Sequence, residues 1–380
     1  MNQLDIFDLM YAPLKVEKEI ALIELFAGYG SQALALKYMG IPYKHHKICE
    51  WAVKSIQAYK DMHMTEDTTD YSKELTTDEI KEYLYNKGIS SNYNEPMTKE
   101  QVYRLSEEKC RTIYNNIQAT HNLVNIQQVG GGMLDIIDKD KYTYLLTYSF
   151  PCQDISNAGN RKGFEDTSTR SGMLWEVERI LKECKELNQL PDILLMENVP
   201  LVHSMDNIQS FAKWISSLES MGYRNYYEDL IATDYGIPQT RNRTFMVSIL
   251  GDYKYTFPEK IPLELKLKDL LEEDVDEKYY LDENLIEQMK HWNAYQKPLE
   301  EMESIHKKQL SPTLTTRSCA TAAGMILIKN NTSLGYLEAE EGDGIDISSR
   351  MKYHRGTVQK DKAQTIMTSQ VGGVVIEDDR

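Results

Sequence analysis

Residues 20–39 read I-A-L-I-E-L-F-A-G-Y-G-S-Q-A-L-A-L-K-Y-M. An apolar run over 20–25 is followed by two glycines one residue apart and then by an apolar-periodic helix over 32–39. This is strand, glycine turn and helix in immediate succession. Such a turn lets a ligand approach the backbone closely and presents the N–H groups of a helix start to it. A purely structural tight turn satisfies the same pattern. The next strand, 45–49, ends in Glu50-Trp51 and runs into a helix through Tyr59. An acid at the end of the second strand, about 20 residues past the glycines, is where doubly wound sheets hold a ribose by its hydroxyls. Trp51 can stack on an adenine ring or pack two helices together.

From 61 to 121 the pattern turns charged and helical, which predicts a helical insertion that acts as a solvated lid or scaffold. The sheet is expected to resume over 122–129, ahead of the Gly130-Gly131-Gly132 run, and again over 142–148. That last strand leads into Thr147-Tyr148-Ser149-Phe150-Pro151-Cys152-Gln153-Asp154-Ile155-Ser156. Pro151 removes a ladder donor and stops the strand just before the thiol. Cys152 is thereby fixed at a strand-to-loop junction, as a candidate nucleophile or as a small buried hydrophobe. The polar stretch to Ser171, with Arg161, Lys162 and Arg170, has the length of a lid, and its charges suit phosphates or solvent.

A helix over 173–187 precedes a buried strand, 192–196, that ends in Glu197-Asn198-Val199-Pro200. A carboxylate at the carboxyl end of a parallel strand points into the crevice where such sheets bind ligands. A helix over 207–221 and a strand over 226–232 follow. Gln239-Thr240-Arg241-Asn242-Arg243 then leads a strand over 244–250, with two guanidinium groups at period two. After Gly251 the chain becomes proline-punctuated and charged, with an acidic helix-like span over 263–292. Two segments then echo each other, 311–328 and 363–376, each a turn, a threonine-rich strand, a glycine and an apolar strand. They predict a β-rich module with basic residues at Arg317, Arg350, Lys352, His354, Arg355 and Lys360.

The chain of 380 residues is long enough for a large α/β domain and a smaller one. Its five cysteines are odd in number and lack any C-x-x-C, and its eight histidines show no H-E-x-x-H, so neither a disulfide framework nor a metal site is expected. A reducing cytoplasm is expected, since residues 1–20 carry four acids and no apolar run reaches membrane-spanning length. A net charge of -16 speaks against a basic coat but leaves room for a local basic cleft.

In this order F-A-G-x-G, E-W, P-C-Q, E-N-V and Q-x-R-x-R resemble the DNA cytosine-5 methyltransferase family, over roughly residues 20–376. The resemblance implies a Rossmann-like α/β sheet with helices on both faces, spanning 1–255, and a smaller target recognition region over 256–380. It implies S-adenosylmethionine as cofactor, held by Phe26, Ala27, Gly28 and Gly30 at the turn, by Glu50 and Trp51, and by Asn125 and Leu174. Cys152 matches the attacking cysteine and Glu197 the carboxyl group at the base. Arg241 and Arg243 match the motif that helps hold a flipped cytosine. Gln153, Ser156, Gln239, Thr315 and Arg317 would meet double-stranded DNA.

The chemistry requires such residues. Cytosine C5 is a poor nucleophile until a thiolate adds to C6, and an acid at N3 with an arginine at O2 stabilises the charge pushed into the ring. The base must leave the duplex for this, and the long loop after Cys152 would close behind it. The chain departs from the family at Ser31, where a second glycine is usual, and at Asn125, where aspartate is common. No segment resembling the family's closing C-terminal helix follows Thr368. This predicts a split or truncated enzyme in which a second polypeptide supplies that helix. Similarity around 145–156 to the CG-methylating branch implies CG as target, within a bacterial or phage-encoded restriction-modification setting. A tRNA cytosine-5 methyltransferase and a catalytically incomplete DNA-binding subunit are the alternatives.

Overall fold

The computed structural model describes residues 12–151, 171–239, 241–266 and 269, and five short strands between 326 and 374. Six strands form one sheet: β1 (Glu19–Leu25), β2 (Tyr43–Cys49), β3 (Tyr142–Tyr148), β4 (Ile193–Asn198), β5 (Tyr223–Ile231) and β6 (Asn242–Leu250). Their order is β2-β1-β3-β4-β6-β5. β1 pairs in parallel with β2 and β3, and β3 with β4, whereas β6 runs antiparallel to β4. Parallel neighbours need crossovers, and helices supply them. These are α1 (Ser31–Tyr38), α2 (Val53–His63) and α6 (Leu174–Glu186), while α7 (Ile208–Ser220) leads from β4 to β5 at the edge.

Alternation along the strands decides what each face meets. Ala21, Ile23 and Leu25 of β1, Tyr144, Leu146 and Tyr148 of β3, and Leu194 and Met196 of β4 pack against Val177, Ile180 and Leu181 of α6 and Phe211, Trp214 and Leu218 of α7. Trp214 is wholly buried and donates its indole N–H to the Tyr148 hydroxyl at 3.2 Å. On the opposite face Ile20 and Leu22 meet Ala33 and Leu36 of α1.

The insertion is helical as expected: α3 (Thr77–Lys87), α4 (Lys99–Tyr103) and α5 (Glu107–Ala119). Thr76 and Thr98 open the first two with reciprocal capping boxes through Glu79 and Gln101, which satisfy N–H groups a helix start leaves bare. Ile80, Leu84, Val102, Ile113 and Ile117 form its own apolar core around Ile56 of α2. It is a packed scaffold.

The strand expected over 122–129 is absent. Val124 adopts φ 71°, a left-handed conformation that a β-branched residue in a pleated strand cannot take. Asn122 makes only an isolated bridge to Ile48. Asn125 caps a 3-10 turn, Ile126–Gln128, by accepting from the Gln127 N–H at 3.1 Å. The segment is held from α6, where Arg179 donates to the carbonyls of Ile126 and Val129.

The chain divides into two compact units, Met1–Asp229 with Thr244–Phe257, and Leu230–Arg243 with Pro258–Arg380. In the second, β7 (Ile326–Lys329) pairs antiparallel with β8 (Tyr336–Ala339), and β9 (Gly344–Asp346) lies between β10 (Thr357–Gln359) and β11 (Gly372–Val374). β7 and β11 fall in the two echoing segments. The threonine-rich stretches, most of the acidic span and the basic residues between 317 and 360 lie outside the described residues. Among the described residues no helix is long and apolar enough to cross a membrane.

Candidate active site at the carboxyl edge of the sheet

Parallel pairing aligns the ends of three neighbouring strands. Leu25 pairs with Tyr148 and Tyr148 with Met196. With about 4.8 Å between neighbours, β1 and β4 end about 10 Å apart. The glycine turn leaves β1, the segment leading to Cys152 leaves β3, and Glu197-Asn198-Val199 closes β4. All three sit at one edge, the side on which open α/β sheets bind ligands.

At the turn, Phe26, Gly28 and Gly30 have positive φ, at 57°, 56° and 81°. The two glycines face different surroundings. A Cβ on Gly28 would meet nothing within 4 Å, whereas one on Gly30 would lie 2.4 Å from His63 Nε2 and 2.6 Å from Tyr59 Cε2. Gly30 is thus required by α2, and Gly28 opens onto free space where a ligand can reach the backbone. Ala27 N–H donates to the Cys49 carbonyl at 3.2 Å, joining the turn to the end of β2.

Glu50 is buried beside it, accepting from Gly28 N–H at 2.9 Å and from Ala52 N–H at 2.8 Å. Burial raises its pKa, against the backbone N–H groups of Ala52, Gly28 and Trp51. A residue the sequence reading missed holds it there. Asn122 accepts from Glu50 N–H at 3.0 Å and donates to the Glu50 carbonyl at 2.9 Å. Trp51 is partly buried against the core of the insertion, and its carbonyl accepts from Ser90 N–H at 2.7 Å. Asn125 is buried with its amide 3.0 Å from the Cβ position of Gly88, and Leu174 is wholly buried in the main core. An open glycine with a carboxylate fixed at its N–H suits the amino-acid and ribose parts of an adenosyl cofactor.

At β4, Glu197 is half-buried and pairs with Phe245 of β6. Asn198, also missed in the sequence, is buried and donates to the Phe150 carbonyl at 3.1 Å. It ties the β3 exit, two residues before Cys152, to the residue after Glu197. Cys152, Gln153 and Ser156 lie outside the described residues, as do Thr315 and Arg317. Cys49, Cys110 and Cys184 are buried and burial raises each thiol's pKa, so none of these three is a nucleophile.

In the second unit, Gln239 N–H donates to the Ile237 carbonyl at 2.7 Å and the Arg241 carbonyl accepts from Ala232 N–H at 2.9 Å. Arg243 lies in β6 and donates to the Asn242 carbonyl at 2.7 Å. Among the described residues no group of three histidine, cysteine or acidic side chains could hold a metal ion.

The family described as C-5 cytosine-specific DNA methylase matches residues 85–375. The chain is 38% identical over 271 residues to the type II methyltransferase M2.ScrFI of Lactococcus lactis subsp. cremoris, covering 70% of this chain and 71% of that one. It is 37% identical over 267 residues to the orphan methyltransferase M.SssI of Spiroplasma monobiae, covering 69% and 67%. Among solved structures, the S. pombe Dnmt2 methyltransferase has a TM-score of 0.43 at 16% identity, over 71% of this chain and 65% of that one. The Entamoeba histolytica methyltransferase EhMeth has 0.44 at 16%, with the same coverage. The chain belongs to the C-5 cytosine-specific DNA methylase family, whose cofactor is S-adenosylmethionine.

Proposed function

We propose that this chain methylates C5 of a flipped-out cytosine in duplex DNA through a covalent adduct with Cys152. The observation that supports the reading is the register of β1, β3 and β4, which ends the strand before the glycine turn, the strand before Pro151 and the strand of Glu197 along one sheet edge. S-adenosylmethionine, once bound, supplies an electrophilic methyl group on a sulfonium. The residues of the chain do the rest. The Cys152 thiolate adds to C6, the new Sγ–C6 bond pushing electrons toward C5 and N3. Glu197 gives or shares a proton at N3, and Arg241 and Arg243 hold the base. Once C5 is methylated, loss of its proton to a base returns the electron pair to the ring, and the Sγ–C6 bond breaks. Gln153, Ser156, Gln239, Thr315 and Arg317 meet the DNA, and the setting is the bacterial cytoplasm.

We further infer a second polypeptide that contributes a helix. What supports this, among the described residues, is a groove of about 620 Å³ on the sheet face opposite α6 and α7, floored by Leu145, Ile193, Leu195, Val247 and Ile249 and rimmed by residues 13–16 and 254–256. Strands inside a sheet normally have both faces covered. The amphipathic face of a helix is the element that fits such a surface.

The reading is tested by incubating the chain with methyl-labelled cofactor and either DNA or RNA, then digesting to nucleosides. Labelled 5-methyldeoxycytidine is expected, lost with Cys152→Ala. Label only in RNA would move the chain to the tRNA-directed reaction, and undiminished methylation by the Cys152→Ala protein would leave a DNA-binding role. Robust turnover by the isolated chain would remove the second polypeptide. Bisulfite sequencing of treated DNA reads the target, for which CG is the expectation.

A further inference from the structure

Beneath the glycine turn lies a chain of titratable side chains that the reaction above does not use. Glu24 of β1 is an acid inside an apolar strand, 1% exposed. Its Oε2 accepts the Tyr59 hydroxyl proton at 2.5 Å, and its Oε1 lies 3.4 Å from the Ala33 N–H in the first turn of α1. Tyr59, on α2, is wholly buried, and its hydroxyl also lies 2.8 Å from His45 Nδ1 on β2. One turn further along α2, His63 sets Nε2 2.9 Å from the Tyr29 carbonyl, the residue between the two glycines. Its other ring nitrogen is buried without a partner among the described residues.

Tyr59 and His63 are also the two side chains that leave no room for a Cβ at Gly30. Their rings stand 4.6 Å apart between centroids, and His45 lies 5.2 Å from His63. The turn therefore rests on α2 from below while Gly28 stays open above. A backbone held in the left-handed region on three of five residues needs such support, because its conformation is not the one a free chain prefers.

We propose that Tyr59 and His63 are positioning residues for S-adenosylmethionine, holding the Phe26–Gly30 turn in its cofactor-receptive shape, with Glu24 as the proton-sensitive anchor of Tyr59. The proposal rests on reading the turn as the cofactor site. Burial raises the pKa of Glu24 to about 7, against the Tyr59 and Ala33 bonds. Around it, burial lowers the pKa of His45 to about 4, helped by His63 and His121, and burial likewise lowers that of His63, with Lys37 contributing. Burial and Glu24 raise the pKa of Tyr43. Glu24 is thus the group of this cluster whose charge changes near neutrality. As a carboxylate it accepts from Tyr59. Once protonated it keeps an acceptor oxygen but loses its charge, so the bond from the Tyr59 hydroxyl weakens and His45 Nδ1 competes for that hydroxyl.

The test is titration calorimetry of the full chain with S-adenosylmethionine between about pH 6 and about pH 8, beside the melting temperature of the unliganded protein. Wild-type affinity is expected to weaken as pH falls through about 7. Tyr59→Phe, which removes a donor that favours the Glu24 carboxylate, should bind about tenfold more weakly at the upper pH, the size of one charge-assisted hydrogen bond. Its affinity should also lose the dependence on pH, because Glu24 no longer reaches the turn through a hydroxyl. His63→Leu should lose affinity and His63→Gln, which keeps an N–H for the Tyr29 carbonyl, should recover it. Wild-type affinity and pH profile in both Tyr59→Phe and His63→Leu would overturn the proposal. So would losses in both histidine variants that follow melting temperature alone. A wild-type chain that binds no cofactor at either pH would remove the cofactor reading itself, and the positioning role with it.

Discussion

The two glycines of the turn make a prediction that separates folding from binding. Gly28→Ala places a methyl group at φ 56° in open space. The left-handed backbone then costs about 1–2 kcal/mol, which for a unit of this size lowers the melting temperature by about 2–8 °C. Gly30→Ala meets the same backbone cost at φ 81° and adds overlap with His63 Nε2 and Tyr59 Cε2, at 2.4 and 2.6 Å. Both are side-chain tips, yet neither can swing away cheaply. Tyr59 is wholly buried and bonded to Glu24, and His63 is bonded to the Tyr29 carbonyl. Overpacking adds about 1–3 kcal/mol, so Gly30→Ala should lose about 10 °C or fail to accumulate. Cofactor affinity should fall the other way round in relation to stability. The Gly28→Ala methyl occupies ligand space and should weaken binding about tenfold, or about 1.4 kcal/mol, in a protein that still melts cooperatively. Differential scanning fluorimetry and calorimetric titration on the two variants read both quantities. Equal melting temperatures for the two, or full cofactor affinity in Gly28→Ala, would refute the assignment of opposite faces to these glycines.

Three further outcomes follow from the geometry. Asn198→Ala removes the bond that the Asn198 amide gives the Phe150 carbonyl, so stability should fall by about 0.5–1.5 kcal/mol in urea titration. Methyl transfer should fall further than cofactor affinity, because the segment entering Cys152 loses its tie to β4. For Glu24 the folded pKa of about 7 lies above its ordinary 4.5, so the folded state binds more protons than the unfolded one between those values. Stability should therefore drop as pH rises through that window, by roughly 3 kcal/mol in all at about 1.4 per unit, and Glu24→Gln should flatten the profile. A profile of unchanged slope would show that Glu24 ionises normally. Leu195→Ser, on the groove wall, should cost the isolated chain less than about 2 kcal/mol, since that side chain is only partly buried. It should nonetheless abolish assembly with a helix-donating partner in size-exclusion chromatography.

The sheet was legible because its strands are short apolar runs set between glycines, prolines and acids. Where the sequence misled, the cause was burial by something other than a sheet. Residues 122–129 are rich in β-branched and apolar residues, but Leu123, Val124, Ile126 and Val129 are covered by the insertion and by α6, and Asn122 spends its amide on the backbone of Glu50. No local pattern distinguishes that use of an asparagine from a turn. Glu24 did carry a signal, an acid in the middle of I-A-L-I-E-L. Its partners lie at Ala33, Tyr59 and, through Tyr59, His45; pairing of β2 with β1 brings His45 near, and the return of α2 across the sheet brings Tyr59. Asn198 was overshadowed by the more reactive Glu197 next to it.

The groove lies along the strand that also carries the proposed acid. I-L-L-M-E-N has apolar residues on both faces, which predicts a covering layer on each. α6 and α7 supply one of them over Leu194 and Met196. Period two places Ile193, Leu195 and Glu197 together on the other face, so the layer that fills the groove shares a face of β4 with the proposed catalytic acid. Covering Leu195, two residues from Glu197, would exclude water from that end of the strand and fix the backbone that carries the acid. Under the proposed chemistry, filling the groove should therefore raise the rate of methyl transfer at saturating cofactor and DNA, whereas a filling that only stabilises the fold would raise the melting temperature and leave that rate unchanged.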